Sequence, residues 1–549
     1  MDSGIYTFTK STSGRHWRHW HWHKLLLGIA VLGVSACDSL ANSAPLEETG
    51  DRPNRPNELV WARPHDVDVL HPHRTTDIFS WQIMDQLYDT LLAFDEDGTI
   101  VPNLAKEWQI SEDGLTVNFL LHDDIQCHDG TAFDAEDVRY TVEHALRTEK
   151  PSETVTNWGG ITQFTVVNAH QVQFQFSEPF APFIPFMADP FASMLCDSTE
   201  VAEADDELQV AVGTGPWTVE RWTPGKELVL EPNPTYVNRG RPVENPGAPY
   251  LDRLIIETVP EAFSRVSNLR WNDADLITDP PIDEMESLRQ NRDIALHLAD
   301  NTGQSIFFQF TAKRPPFNDL RARQAIAYAL HPEEAILETF DGLAKREHCP
   351  VADGVVGNDP DWCAETGYSY DPERAIALLA ELGYGPDNPL EVNLISWSGD
   401  RREKVLSIFQ QQLAEVGVKA TLNLMDISTL NARVQLDNAK ETGPGTIDLM
   451  GWSWYDADIL HALWHSPGAY GGYQSPELDA LLRATQATAD PDVRLQRIQA
   501  VQAYLLEQAV VIPIYTPGWL WIYASKAELE GLKIGPFNRP LFNDVRWNQ

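Results

Sequence analysis

The stretch GWSWYDADIL, residues 451–460, sets Trp452, Trp454 and Tyr455 directly beside Asp456 and Asp458. Rings next to acids suit a cation or carbohydrate platform, an anchor for an ammonium group, or half of an acid–base pair. The rest of a catalytic apparatus is missing from the sequence. There is no GxSxG elbow and no HExxH, and TPGKE (223–227) lacks the Ser or Thr with which a phosphate loop holds magnesium. His461 and His465 in HALWH stand four apart, a spacing that chelates a metal from one helix face, but no Glu base accompanies them. Helix packing or exposure is therefore their expected role, and no metal or cofactor is expected. The tract HWRHWHWHK (16–24) looks metal-binding, yet it lies in a segment expected to be removed.

That segment is a secretory leader. Arg15, Arg18 and Lys24 precede the apolar run LLLGIAVLGV, Leu25–Val34, which then meets Ser35, Ala36 and Cys37. A basic start, a short apolar run and small residues before a cleavage point define an export signal, and the run is too short for a stable membrane span. Val34–Cys37, V-S-A-C, resembles the lipobox of bacterial lipoproteins. Cleavage before Cys37 would leave its thiol lipidated and the mature chain on the outer face of a membrane. Residues 37–57, polar and rich in Pro and Asn, read as a flexible tether.

The whole chain carries a formal charge of −40, and removal of residues 1–36 brings it to −43. Such a charge argues against nucleic acid as a partner and speaks chiefly to solubility. At 549 residues, two or more lobes are expected. Four cysteines remain after Cys37, an even number in an oxidising compartment. Cys349 and Cys363, close together in a loop-like stretch, are expected to pair, which leaves Cys127 for Cys196.

Helices and strands alternate through the mature chain. ELVWARP (58–64) reads as a strand, and Asp77–Phe94 shows helical spacing. Turns DEDG and SEDG flank short strands, among them the alternating TVNFLL, and a helix follows through 139–146 with Thr131 or Asp134 near its start. Further on, SIFFQF (305–310) is a strand and 315–336 one amphipathic helix. Helix 371–383, strand 391–397, helix 404–418 and strand 421–425 then build a β-α-β unit. Two more helices lead to VVIPIYTPGWLWIYA (510–524), read as one strand returning across the molecule. Crossings near 300–310 and 510–525 suit a hinged cleft.

Several motifs together carry a family resemblance. Leu104–Trp108, Ser111–Leu120 and His128–Val138 follow the patterns L-A-x-x-W, S-x-D-G-x-x-x-x-F-x-L and H-D-G-x-x-x-x-A-x-D-V. GTGPWTVERWTPGKELVLEPNPTY (213–236), residues 315–330 and YSYDPERAIALLAELGY (368–384) extend the likeness over about 58–549. In these the chain resembles the solute-binding proteins of peptide-type ABC importers, the oligopeptide, dipeptide and nickel-binding family. The resemblance implies an α/β, two-lobed periplasmic-binding-protein-like fold with a hinge and an inserted third subdomain. Its expected divisions are lobe Ia at 58–94, 206–304 and 522–549, lobe Ib at 95–205, and lobe II at 305–521. It also implies no enzyme activity, closure over a small solute, and delivery to membrane permease subunits. His128–Asp129–Gly130 reads as a turn, and His65, His71 and His73 resemble the family's L-D-P-H turn, with His71 in place of Asp.

By the same resemblance, Gly451–Asp458 lines the cleft. Gly451 and Trp452 would pair their backbone with the ligand as an added strand, beside Trp454. An acid four residues after the glycine would hold the ligand's ammonium. Tyr455 stands at that position and Asp456 follows. Either a one-residue shift makes Asp456 the anchor, or the ligand lacks a free peptide amine. Strand ends supply further candidates: Trp397 to stack, Arg401 or Arg402 to take a carboxylate, and Trp61 and Arg63 from the first strand. A short peptide is the first expectation. A metal chelate or opine-like compound on the same fold, or a secreted bilobal hydrolase, are the alternatives.

Overall fold

The computed structural model describes residues 57–548, apart from 68, 76, 148–154, 198–211, 300–302, 341, 399–400, 426, 439, 441, 467–471 and 518–521. The leader, most of the tether and Cys37 lie outside the described residues.

Strand alternation places the first core. In Glu58–Arg63, Leu59 and Trp61 turn to one face of the sheet, against Met84, Leu87 and Tyr88. Val60 and Ala62 turn to the other, against Val266 and Leu269. This strand runs parallel to Arg253–Thr258 and Leu276–Thr278 inside a seven-stranded sheet, buried on both faces.

A four-stranded antiparallel sheet is inserted after it, in the order 105–110, 116–121, 171–176, 161–168. TVNFLL and QVQFQF alternate as their patterns require, and Val117 faces Phe174 while Phe119 faces Val172 on the buried side.

The second large sheet has six strands, in the order 344–346, 511–517, 304–310, 445–453, 390–397, 418–425. The chain reaches it from Ile294–Leu298 into Gln304–Phe310 and leaves it from Val511–Pro517 into Ile522–Lys526. These two crossings link the seven- and six-stranded sheets.

Helix starts follow local chemistry. Asp371, Ser475 and Asp490 each cap a helix whose first residue is proline, and Asp134 forms a reciprocal capping box with Asp137. Cys127 is joined to Cys196 and Cys349 to Cys363. Among the described residues no helix is long and apolar enough to cross a membrane.

Three elements differ from the sequence reading. The helix expected over 77–94 ends at Leu87, and Leu92–Phe94 forms a strand against Ile100–Pro102. Just beyond the helix end Asp89 turns inward to Arg241 at 3.0 Å. The helix expected over 315–336 divides into Leu320–Ala329 and Pro332–Phe340, because Pro332 has no N–H to give and disfavours helical backbone before it. The single strand expected over 510–524 is two strands in different sheets.

Arg241 is a buried cation beside the seven-stranded sheet's first helix. It meets Asp85 at 3.2 Å as well as Asp89, and Arg539 also reaches Asp85. Removing one member of such a group strands the others in a dry interior. Arg241→Met is expected to cost about 3–5 kcal/mol in urea denaturation, and a cost below about 1 kcal/mol would contradict this reading.

Candidate functional site

The strand Gly445–Ser453 is the centre of the site. Along one edge it pairs with Gln304–Phe310 over its last seven residues. Along the other edge the parallel partner Leu390–Trp397 pairs only as far as Asp448. One further bond follows, from Ser396 Oγ to the Leu449 carbonyl at 2.7 Å. Met450–Ser453 therefore extend past their neighbour, and no strand of the described residues pairs with that edge. A strand end that runs past its neighbour is where a further strand can add.

Gly451 is needed for packing. A Cβ there would sit 2.3 Å from Ile306 Cδ1 and 3.4 Å from Trp397 Cη2. Trp397 thus lies beside the glycine, with the Arg402 guanidinium 3.2 Å above its ring centre. Gly451, Trp397 and Arg402 are brought together. Arg401 is not, since it pairs with Asp283 and donates to the Thr339 carbonyl at 3.1 Å. Trp61 is a core residue: fully buried, it packs on Tyr523 and Phe542 and donates to Thr278 Oγ1. The expectation that it faces the cleft is corrected, because its strand is covered on both sides.

The acids next to the strand are engaged internally. Asp456 is fully buried, with its two oxygens 2.7 and 2.6 Å from Arg494 Nη1 and Nη2. Asp456 also accepts from the backbone N–H of Asp458 at 2.8 Å. It is an ion-pair partner inside the protein, so the one-residue shift that would make it an amine anchor does not occur. Asp458 accepts from Gln486 Nε2 at 2.8 Å. Burial, reinforced by the Asp456 charge, pushes its carboxyl up to about 7.

Trp454 and Tyr455 join this strand to the rest of the molecule. The Trp454 N–H donates to the Gly303 carbonyl at 3.1 Å, where φ is +63° and a Cβ would meet the Trp454 carbonyl at 2.4 Å. Only glycine suits that approach. Tyr455 is buried, stacks on Trp454 at 5.3 Å, lies 6.1 Å from Phe94 and accepts from Asn157 Nδ2 at 3.4 Å. The Ala181 N–H donates to the Gln486 carbonyl at 2.8 Å. Segments of the inserted subdomain therefore touch the elements around the strand.

Arg494, Gln486 and Asn157 were missed in the sequence. Arg494 lies 38 residues from Asp456, and no local spacing announces the pair.

His71 and His73 form a buried cluster with His144, which was not singled out. His73 Nδ1 lies 3.5 Å from His144 Nδ1, and the His71 and His144 rings stack at 4.8 Å. The Ser193 carbonyl faces His73 Nε2 at 3.2 Å, and His71 Nδ1 accepts from the His73 N–H. Burial, then the neighbouring His144, holds His73 down at about 3; His71 is also well below its usual value. His461 and His465 stack on each other at 4.3 Å, and Arg483 reaches His465 Nε2 at 3.1 Å. Among the described residues, the group suited by type to a metal is Cys127, Asp137 and Cys196, whose thiols are consumed by the disulfide.

A mixed α/β scaffold with aromatic residues along a strand that runs past its neighbour has the features a binding protein needs. The family model of bacterial extracellular solute-binding proteins, family 5 (middle), matches residues 99–472, and the chain belongs to that family, the non-enzymatic binding components of ABC transporters. Di/tripeptide-binding protein 2 of Pseudomonas aeruginosa is 26% identical over 501 residues, 84% of this chain and 89% of the relative. Glutathione-binding protein GsiB of Salmonella paratyphi A is 25% identical over 500 residues, 89% and 94% of the two chains. The solved structure of DppA from Helicobacter pylori with peptide STSA has the same fold, at TM-score 0.72, 23% identity and 90% and 98% coverage.

The histidine cluster sets a pH dependence. His73 titrates lower folded than unfolded, so its contribution is full above the unfolded value of 6.5 and is lost as pH falls toward about 3. Each proton excluded in that window costs up to about 1.4 kcal/mol per pH unit. His73→Asn is expected to show a shallower loss of stability between pH 7 and 5 than the wild type in urea denaturation. Equal slopes would contradict it.

Proposed function

We propose that this protein captures a short peptide outside the cytoplasm, closes its lobes over it, and delivers it to the permease subunits of an ABC importer. The observation that carries the reading is that Met450–Ser453 run past the end of their pairing with Leu390–Trp397, beside Trp397 and Arg402. A peptide main chain added there would gain ladder hydrogen bonds independent of sequence, while Trp397, Trp452 and Trp454 supply apolar walls for its side chains. A di/tripeptide-binding relative and the DppA structure holding peptide STSA agree with this chemical class. With Asp456 held by Arg494, the ligand's amine is not read by that acid.

Closure would move lobe II, 305–521, against lobe Ia, 58–94 with 206–304 and 522–549, and against lobe Ib, 95–205. The contacts of Tyr455 with Asn157 and of Gln486 with Ala181 support a closed arrangement. Calorimetric titration with di-, tri- and tetrapeptides, metal chelates and sugars tests the reading. Peptide binding with an affinity that falls roughly tenfold in Trp397→Ala is expected. Binding confined to chelates or sugars would contradict it.

The mature chain would be held at the cell membrane by lipid on Cys37, as the V-S-A-C sequence after Leu25–Val34 supports. Cys37→Ser should move the protein from the membrane to the soluble extracytoplasmic fraction. Retention of the variant at the membrane would refute the anchor.

A further inference from the structure

Arg63 ends the first strand and is 1% exposed. Its guanidinium lies 5.1 Å from the Trp61 ring and 5.6 Å from the Phe79 ring. Among the described residues one hydrogen bond leaves it, from Nη2 to the Phe79 carbonyl. Nε and Nη1 are buried with no hydrogen-bond partner among the described residues. Asp77, Asp66 and Asp279 act on it only at long range, and burial, outweighing them, lowers its pKa to about 10.

Two other buried arginines, Arg265 and Arg494, are served differently. Arg265 donates to the carbonyls of Thr278, Val259, Pro260 and Asp279, all within 2.9 Å, and Arg494 holds Asp456 through two bonds. A buried cation left with donors unsatisfied costs stability unless something outside the chain completes it.

Its place in the fold indicates what that is. Arg63 pairs in register with Thr258 at the carboxyl ends of parallel strands, where open α/β sheets bind ligands. At the same end Asp279 donates to the Ile522 carbonyl, and Leu298 pairs with Ile522. Both connections to the six-stranded sheet leave from there.

We propose that Arg63 pairs with a carboxylate of the bound solute, making it the residue that selects anionic ligands; this rests on the solute-binding reading above. The lobes part to admit the carboxylate, and closure buries the pair. A guanidinium suits a planar carboxylate better than an ammonium does, so lysine is a poor substitute.

The test compares wild type, Arg63→Met and Arg63→Lys in the full chain. The probes are the tightest-binding di- or tripeptide and the same peptide as its C-terminal carboxamide. Wild type should prefer the acid by ten- to a hundredfold, on the order expected for a charge-assisted bond, and Arg63→Met should show almost no preference. Ligand-free Arg63→Met should melt no lower than wild type, since it removes an uncompensated buried charge. A preference that persists in Arg63→Met, no preference in wild type, or melting several degrees lower without ligand would overturn the proposal. If no peptide binds wild type, the peptide reading fails by itself. Arg63 is then judged with succinate and glutarate, which should raise the melting temperature of wild type and not of Arg63→Met; no rise in wild type overturns it.

Discussion

Asp456 and Arg494 form an ion pair that the rest of the site depends on. Two charges removed from water are tolerated only when each satisfies the other, and here two short bonds join them at the foot of the strand Gly445–Ser453. Arg494 belongs to the helix Pro491–Glu507, so the pair ties the end of the strand to a long rigid element. Asp456 also holds the Asp458 N–H, which fixes the turn that follows. With that turn held, Tyr455 is directed inward and Met450–Ser453 run on past the end of the neighbouring strand.

This arrangement separates two jobs that sequence places side by side. The acids hold the architecture; in the proposed reading the strand edge and its tryptophans receive the solute. Recognition through backbone is tolerant of side-chain identity, and closure adds apolar contact without new covalent chemistry. The contacts of Tyr455 with Asn157 and of Trp454 with Gly303 tie the aromatic run to segments far from it in sequence.

Much of the fold was legible because its signals are local. Period-two alternation in TVNFLL and QVQFQF, and the Asp-Pro and Ser-Pro helix starts, are short-range physics, and the motifs between 84 and 146 carried the family. The site was less legible because its decisive partners are remote in sequence. Nothing near Asp456 announces Arg494, and nothing near His71 announces His144. Asp89, just past the end of a helix shorter than its spacing suggested, pairs with a charge 152 residues away. Trp61 misled because a strand buried on both faces offers no pattern to tell the core side from the cleft side.

A crystal structure with the tightest-binding peptide is the most direct test of this division of labour. The account predicts the peptide main chain hydrogen-bonded along Met450–Ser453, with Asp456 still paired to Arg494. An Asp456 carboxylate released from Arg494 and bonded to the ligand's ammonium would contradict it.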